Sequence, residues 1–147
     1  MIVTPVARIR RFAMTVLISV AAISAAHTAW ATPQQDIIAG YAAQAKSQDS
    51  RFAGFSATRG GTFFSAHPGG GKPETPSCTT CHTASPLNVG HTRAGKEIAP
   101  MALSKTPDRY TDKKKIEKWF RRNCNTVLGR ACTAQEKGDY LSFMISQ

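Results

Sequence analysis

Residues 78–82 read Cys-Thr-Thr-Cys-His, a CxxCH motif. This motif is the attachment signature of a c-type haem. On one helical turn, the two-residue spacer sets two thiols at the separation of the two haem vinyl groups, and the adjacent histidine falls beneath the iron. We therefore expect Cys78 and Cys81 to bind one haem c covalently and His82 to be its proximal iron ligand.

Two other chemistries use paired cysteines. A CxxC pair can be a thiol–disulfide active site, but such sites lie in a βαβ context, which this sequence lacks. Cys78 and Cys81 could also bind zinc together with Cys124 and Cys132, yet the wide separation of the second pair is unlike the tight spacing of structural zinc sites. A thiol redox or zinc module therefore remains the alternative from a different functional class.

Residues 1–31 have the layout of a secretory signal peptide. Three arginines are followed by an uncharged run at 12–26 and by the small-residue triplet Ala-Trp-Ala at 29–31. The alternative is an uncleaved anchor, but the apolar run is shorter than the ~20 residues of a spanning helix. We predict cleavage after Ala31, a mature chain of residues 32–147 in the periplasm, and no stable membrane insertion.

The composition predicts one small domain that needs help to fill its core. Hydrophobic residues make up 41% of the chain, which argues against a disordered polyelectrolyte despite the net charge of +10. From residue 32 onward there are only 20 Ile, Leu, Val, Met, Phe and Trp residues. Because ordering a chain costs ~1–2 kcal/mol per residue, so thin a core is marginal, and a porphyrin would supply the missing apolar surface.

The apolar spacing predicts an all-α domain with long loops and no strands. We expect a helix over 33–46, a weaker helix over 56–66 with a costly Gly60-Gly61 pair inside it, and a loop over 67–77. Residues 83–108 show no sustained period and predict a wrapping segment with at most a short helix at 93–98.

Two further helices are indicated near the C-terminus. Thr111 or Asp112 caps a third major helix, and Ile116, Trp119 and Phe120 follow it at helical spacing. The last helix opens with the capping box Thr-Ala-Gln-Glu at 133–136. It carries apolar residues on one face: Tyr140, Leu141, Met144 and Ile145.

The segment 122–132, expected as the loop before the last helix, is where small cytochromes c usually carry a distal methionine. It contains neither Met nor His, so Met101, His91, Met144 and His67 remain candidates for the sixth iron position. The segment does contain Cys124 and Cys132. In an oxidising compartment these two should pair, and closing that ring is worth roughly 2.5 kcal/mol.

Pro100 follows the attachment motif at a distance typical of small cytochromes c. We expect its carbonyl to accept a hydrogen bond from His82 Nδ1, which would fix the ring and raise its donor strength. The alternative is a plain turn proline.

Three stretches resemble the sphaeroides haem protein (SHP) type of cytochrome c. They are PSCTTCH at 76–82, TRAGKEIAPMALSKTPDRYTD at 92–112 and KWFRRNCNTVLGRACTAQEKGDYL at 118–141, and the resemblance runs over about 37–147. It implies a class I cytochrome c fold around one haem, Asn123 as the distal ligand, and a Cys124–Cys132 disulfide beside it. It also implies electron transfer with a dihaem cytochrome c and binding of small diatomic ligands.

An asparagine ligand has a chemical consequence. An amide oxygen is a harder and weaker ligand than a thioether and suits ferric iron better than ferrous iron. Reduction should therefore release Asn123 and let the protein bind O₂, NO or CO.

The other role for Asn123 is a helix C-cap. The alternative function is an ordinary six-coordinate electron shuttle with Met101 or His91 on the iron. We expect an electron carrier rather than an enzyme, with reductive chemistry on O₂ or NO left open.

The third major helix has a basic surface. It is either a solvated face or a docking face that steers an acidic redox partner toward the haem. Export disfavours nucleic acid as a partner. Arg93, Lys96 and Arg109 are candidates to pair with the haem propionates. The basic residues of the helix are Lys113, Lys114, Lys115, Lys118, Arg121 and Arg122.

Overall fold

The computed structural model describes residue 1 and residues 31–147. The predicted signal peptide and its cleavage site therefore lie almost wholly outside the described residues. None of the described helices is both long enough and apolar enough to cross a membrane. The elements in chain order are α1 (Pro33–Gln48), α2 (Ala57–Ser65), α3 (Thr79–His82), β1 (Gly90–His91), β2 (Glu97–Ile98), α4 (Lys113–Leu128) and α5 (Ala134–Ser146).

The predicted all-α class is confirmed, and the helix ends form where the sequence signals lie. Thr32 caps α1 through a capping box with Gln35, and Pro33 occupies the first turn. Thr133 and Glu136 form the same box at the start of α5. These boxes satisfy backbone N–H groups that a helix start otherwise leaves without partners.

Close packing requires Gly60, the first residue of the Gly60-Gly61 pair of α2. A Cβ at Gly60 would overlap the backbone of Asp139 on α5. Asp139 also accepts a hydrogen bond from the Ser56 N–H (2.7 Å) and pairs with Arg59 (Nε to Oδ2, 2.8 Å). The low helix propensity of glycine is therefore offset by contact between α2 and α5.

Helix α4 is longer than the sequence indicated. It runs from its Asp112 cap to Leu128 and ends at Gly129, whose φ of 69° is left-handed. Most of the segment 122–132 is therefore helix and not the expected loop. Asn123 lies inside α4, so its C-cap role is wrong. Gly70 and Gly71 pack flush against the last turn of this helix, where Lys72 N–H donates to the Thr126 carbonyl (2.8 Å).

The short helix expected at 93–98 is also wrong. Strands β1 and β2 pair there in an antiparallel hairpin, with Gly90 opposite Ile98 and His91 opposite Glu97. Gly95 has a φ of 76°, and the Thr92 N–H donates to the Lys96 carbonyl (2.8 Å). A left-handed glycine stops helix propagation and closes this turn instead.

The core lies between α1, α2, α4 and α5. The rings of Tyr41 and Tyr140 each meet Phe120 nearly edge-on, at centroid distances of 6.2 and 5.5 Å. Tyr41 donates to Glu117 Oε1 (2.6 Å) and Lys137 donates to Glu117 Oε2 (2.8 Å), which joins α1, α4 and α5 through one carboxylate. This packing fixes α4 in place beside the attachment motif.

Candidate functional site

A cavity of about 840 Å³ lies between the attachment motif and the C-terminal helices. Its walls come from α2, α3, β2, residues 106–112, α4 and α5. Cys78, Cys81 and His82 all line it. Much of the remaining lining is apolar or aromatic and includes Phe63, Ile98, Met101, Ile116, Trp119, Phe120, Leu128 and Leu141.

The attachment motif forms the single turn α3, as the spacing predicts. The Cys81 and His82 N–H groups both donate to the Cys78 carbonyl, at 3.3 and 3.1 Å. Gly90 of the hairpin packs directly on this turn, since a Cβ there would overlap the Cys81 carbonyl. Because Gly90 has no side chain, β1 can pack directly on the turn that carries the two cysteines and the histidine of the cavity wall.

His82 is partly buried, and its imidazole is in a form suited to iron binding. Burial lowers the pKa of its imidazole, and the positive charge of Arg109 lowers it further. The ring is therefore neutral at neutral pH. His82 Nδ1 is buried and has no hydrogen-bond partner among the described residues. An apolar cavity, two thiols one turn apart and a neutral imidazole that lines the same cavity together fit a covalently attached haem.

The Pro100 carbonyl has other partners than the one expected. It accepts hydrogen bonds from Thr106 Oγ1 (2.9 Å) and Arg109 Nε (2.7 Å). The hydrogen bond from His82 Nδ1 is not formed in this structure. Pro100 is therefore placed near the site as part of a segment held by Arg109.

The three candidates for pairing with the haem propionates differ in their positions and in the contacts they already make. Arg93 forms an ion pair with Glu74 (3.2 Å) and is absent from the cavity lining. Lys96 and Arg109 both line the cavity. Because Arg109 already donates to two backbone carbonyls, Lys96 is the more available cation.

Asn123 lines the cavity from α4, one helical turn after Trp119, which also lines it. Among the other candidates for the sixth iron position, Met101 lines the cavity. His67, His91 and Met144 are absent from that lining, and Met144 is fully buried in the core. The structure thus brings Asn123 and Met101 to the same cavity as His82.

Cys124 and Cys132 have the geometry of a disulfide. Their Cα atoms are 5.6 Å apart and their sulfurs are at bonding distance. The pair links the last turns of α4 to the start of α5, and Cys124 directly follows Asn123 in the chain.

The alternative cysteine chemistries find no support. Burial raises the pKa of the Cys78 thiol to about 11, whereas thiol redox sites work with a lowered pKa. The sulfurs of Cys124 and Cys132 lie at bonding distance from one another and away from a four-cysteine arrangement with Cys78 and Cys81. Within residues 31–147, no three His, Cys, Asp or Glu side chains come together as a metal site.

Tyr110 and Tyr140 line the cavity, a role the sequence did not indicate. Tyr110 has a φ of 64°, which is rare for a side-chain-bearing residue, and its hydroxyl donates to the Met101 carbonyl (2.7 Å). Tyr140 was recognisable only as part of the apolar face of the last helix. No local pattern predicts the left-handed backbone that turns Tyr110 inward.

Comparison with known proteins places the chain among c-type cytochromes. A family model described as a domain of unknown function, DUF1924, matches residues 50–144. The chain is 51% identical over 116 residues to cytochrome c-type protein SHP of Cereibacter sphaeroides, covering 79% of this chain and 85% of that protein. It is 33% identical over 122 residues to cytochrome c'' of Methylophilus methylotrophus, covering 79% and 81%.

Two solved structures share this architecture. The structure of oxidized SHP, described as an oxygen-binding cytochrome c, matches with a TM-score of 0.73 at 51% identity and covers 79% of this chain and 98% of that one. Oxidized cytochrome c'' from Methylophilus methylotrophus matches with a TM-score of 0.69 at 30% identity, covering 78% and 94%.

Proposed function

Because this chain belongs to the SHP family of c-type cytochromes, we propose that it is an exported monohaem cytochrome that transfers electrons and, when reduced, binds a small diatomic ligand. One observation carries the proposal: the CxxCH turn and Asn123 of α4 line the same cavity of about 840 Å³. The related SHP structure is described as oxygen-binding, which supports O₂ as one such ligand.

Cys78, Cys81 and His82 hold the haem in this proposal. The sequence contains one CxxCH motif, which accounts for one covalent haem. Haem, when bound, supplies an iron that alternates between ferric and ferrous states and can accept an exogenous ligand. The chain supplies two thiols on one turn, a neutral imidazole and apolar walls that limit the access of water.

Asn123 would bind the haem iron as a labile ligand. Its backbone is held inside α4, one residue before Cys124, so the amide is presented to the cavity from a fixed position. An amide oxygen binds ferrous iron more weakly than ferric iron. Reduction of the iron would therefore release the side chain without unfolding the helix that carries it, since only side-chain torsions would need to change.

The competing candidate is a six-coordinate electron shuttle with Met101 as its sixth ligand. This candidate rests on the presence of Met101 in the cavity lining. A thioether binds ferrous iron well, so such a protein would resist external ligands in its reduced state.

Absorption spectra of the haem-loaded protein distinguish the two candidates. We expect the reduced protein to bind CO and O₂ readily, with a clear spectral change on adding CO under argon. The oxidised protein should respond weakly to CO. A reduced spectrum of a six-coordinate low-spin haem that does not change with CO would overturn the open-site proposal and favour Met101.

The site of action proposed for the mature chain is the periplasm. The signal-peptide pattern of residues 1–31 supports export, and the Cys124–Cys132 geometry supports an oxidising compartment. Covalent attachment suits such a protein because a loosely held haem would be lost to the medium.

The basic surface of α4 is the proposed docking face for an acidic redox partner, such as a dihaem cytochrome c. None of its cations forms an ion pair with another described residue. Lys115, Trp119 and Arg122 of α4 line the cavity, so this face adjoins the site. Unpaired positive charge beside a redox centre steers an acidic partner toward it. The cations are Lys113, Lys114, Lys115, Lys118, Arg121 and Arg122.

Charge reversal tests the docking face with an acidic dihaem cytochrome c as electron donor. We expect the double variant Lys114→Glu/Lys118→Glu to lower the second-order rate constant about tenfold at low ionic strength, and added salt to reduce the difference. Lys46→Glu, an equally exposed change on α1, should stay within twofold of the parent. A rate constant that is independent of salt and of both changes would rule out this face.

A further inference from the structure

We propose that Arg109 is a positioning residue that holds the Pro100 segment with its guanidinium, places a positive charge in the cavity that His82 also lines, and thereby raises the reduction potential of the haem iron. This inference rests on the proposed function in one respect: His82 must be the iron ligand.

Hydrogen bonds hold both the side chain and the backbone of Arg109. Its Nε donates to the Pro100 carbonyl (2.7 Å) and its Nη2 donates to the Ala99 carbonyl (2.7 Å). Its own carbonyl accepts from Gln34 Nε2 of α1 (3.1 Å). A guanidinium that spans two successive carbonyls is a rigid fork, and a lysine cannot reproduce it.

The Pro100 carbonyl is fully engaged by these contacts. A carbonyl oxygen has two lone pairs, and here Thr106 Oγ1 and Arg109 Nε use both. His82 Nδ1 is left without a partner among the described residues. An imidazole that donates no strong hydrogen bond is a weaker electron donor to a metal and stabilises the ferric state less.

The charge of Arg109 acts in the same direction. Arg109 lines the same cavity as His82. A fixed positive charge near a redox centre disfavours the more positive oxidised state. Both effects therefore raise the reduction potential.

Redox titration of three haem-loaded variants tests the inference. We expect Arg109→Gln to lower the equilibrium constant for reduction about tenfold, which is 59 mV for a one-electron couple. Arg109→Lys keeps the charge and should recover at least half of that shift in potential. Thr106→Val frees the same carbonyl without removing a charge, so its shift should be smaller than that of Arg109→Gln.

Resonance Raman spectra of the reduced variants provide the second readout. In Arg109→Gln the released Pro100 carbonyl can accept from His82 Nδ1, which should raise the iron–histidine stretching frequency. Two results would overturn the inference. One is an Arg109→Gln variant whose equilibrium constant for reduction stays within twofold of the parent value. The other is an equal shift of the reduction potential in Arg109→Gln and Arg109→Lys. Failure of the proposed function would instead show in the parent protein, as missing covalent haem or missing histidine ligation.

Discussion

Asn123 combines a fixed backbone with a free side chain. It lies inside α4, and the Cys124–Cys132 link ties the next residue to the start of α5. The Asn123 amide has no hydrogen-bond partner within the described part of the chain. Little in the protein therefore opposes its movement toward or away from the cavity.

Replacing Asn123 tests its place on the iron. We expect Asn123→Ala to change the ferric absorption spectrum and to raise the ferric affinity for imidazole about tenfold, because the amide no longer competes for the same position. The ferrous spectrum should stay unchanged. Asn125→Ala is the matched control, since Asn125 lies on the same turn but is absent from the cavity lining. A ferric spectrum of Asn123→Ala identical to the parent would remove Asn123 from the iron.

The residues of the attachment motif could be predicted because their chemistry is local. The spacing of Cys78, Cys81 and His82 is enough to place them on one turn facing one cavity. Tyr110 and the carbonyl contacts of Arg109 could not be predicted in this way. They depend on a left-handed backbone at residue 110 and on contacts with residues 99 and 100, which no short-range pattern records.

Helix α4, which carries Asn123, is tied to α1 and α5 through one carboxylate. Its inner face holds Glu117, which accepts hydrogen bonds from Tyr41 of α1 and Lys137 of α5. Burial alone would raise the pKa of Glu117. The hydrogen bonds from Lys137 and Tyr41, with the positive charges of Lys137 and Lys113, outweigh burial and hold the pKa below its ordinary value of 4.5.

This carboxylate makes stability depend on acid pH. A group whose pKa is lowered by folding contributes stability above its unfolded pKa and loses it as the pH falls through the folded value. We expect Glu117→Gln to reduce the free energy of unfolding at pH 7 by about 0.5–1 kcal/mol, a figure that allows for its partial exposure. Urea titrations should show this difference shrinking below pH 4.5. Glu74→Gln, at an exposed pair, should show little difference at either pH; a Glu117→Gln deficit that persists unchanged in acid would contradict the account.

The helices were predictable where caps and apolar spacing agree. Helices α1 and α2 match their predicted ranges to within two residues, and α5 begins at its predicted capping box. The end of α4 was missed because Asn123 suggested a cap, whereas the left-handed Gly129 is the actual stop. The hairpin was missed because two-residue strands leave no alternating pattern.

At the scale of the whole molecule, the cavity explains the sparse apolar composition. Only 14 described residues form the buried hydrophobic core, and much of the remaining apolar surface lines the cavity. A haem in that space would complete the packing, so we expect folding and haem attachment to be coupled. The composition alone predicted this need, but the position of the cavity follows from how α4 and α5 pack against the attachment turn.

The mass of the intact protein tests the central claim most directly. The chain should be expressed with its signal sequence in a bacterium able to mature c-type cytochromes, and purified from the periplasm under denaturing conditions. The account predicts a coloured polypeptide beginning at residue 32, with the mass of one haem added and retained after acid extraction. The Cys78→Ala/Cys81→Ala variant should lose that mass. A colourless parent protein with the mass of the bare chain would contradict the account.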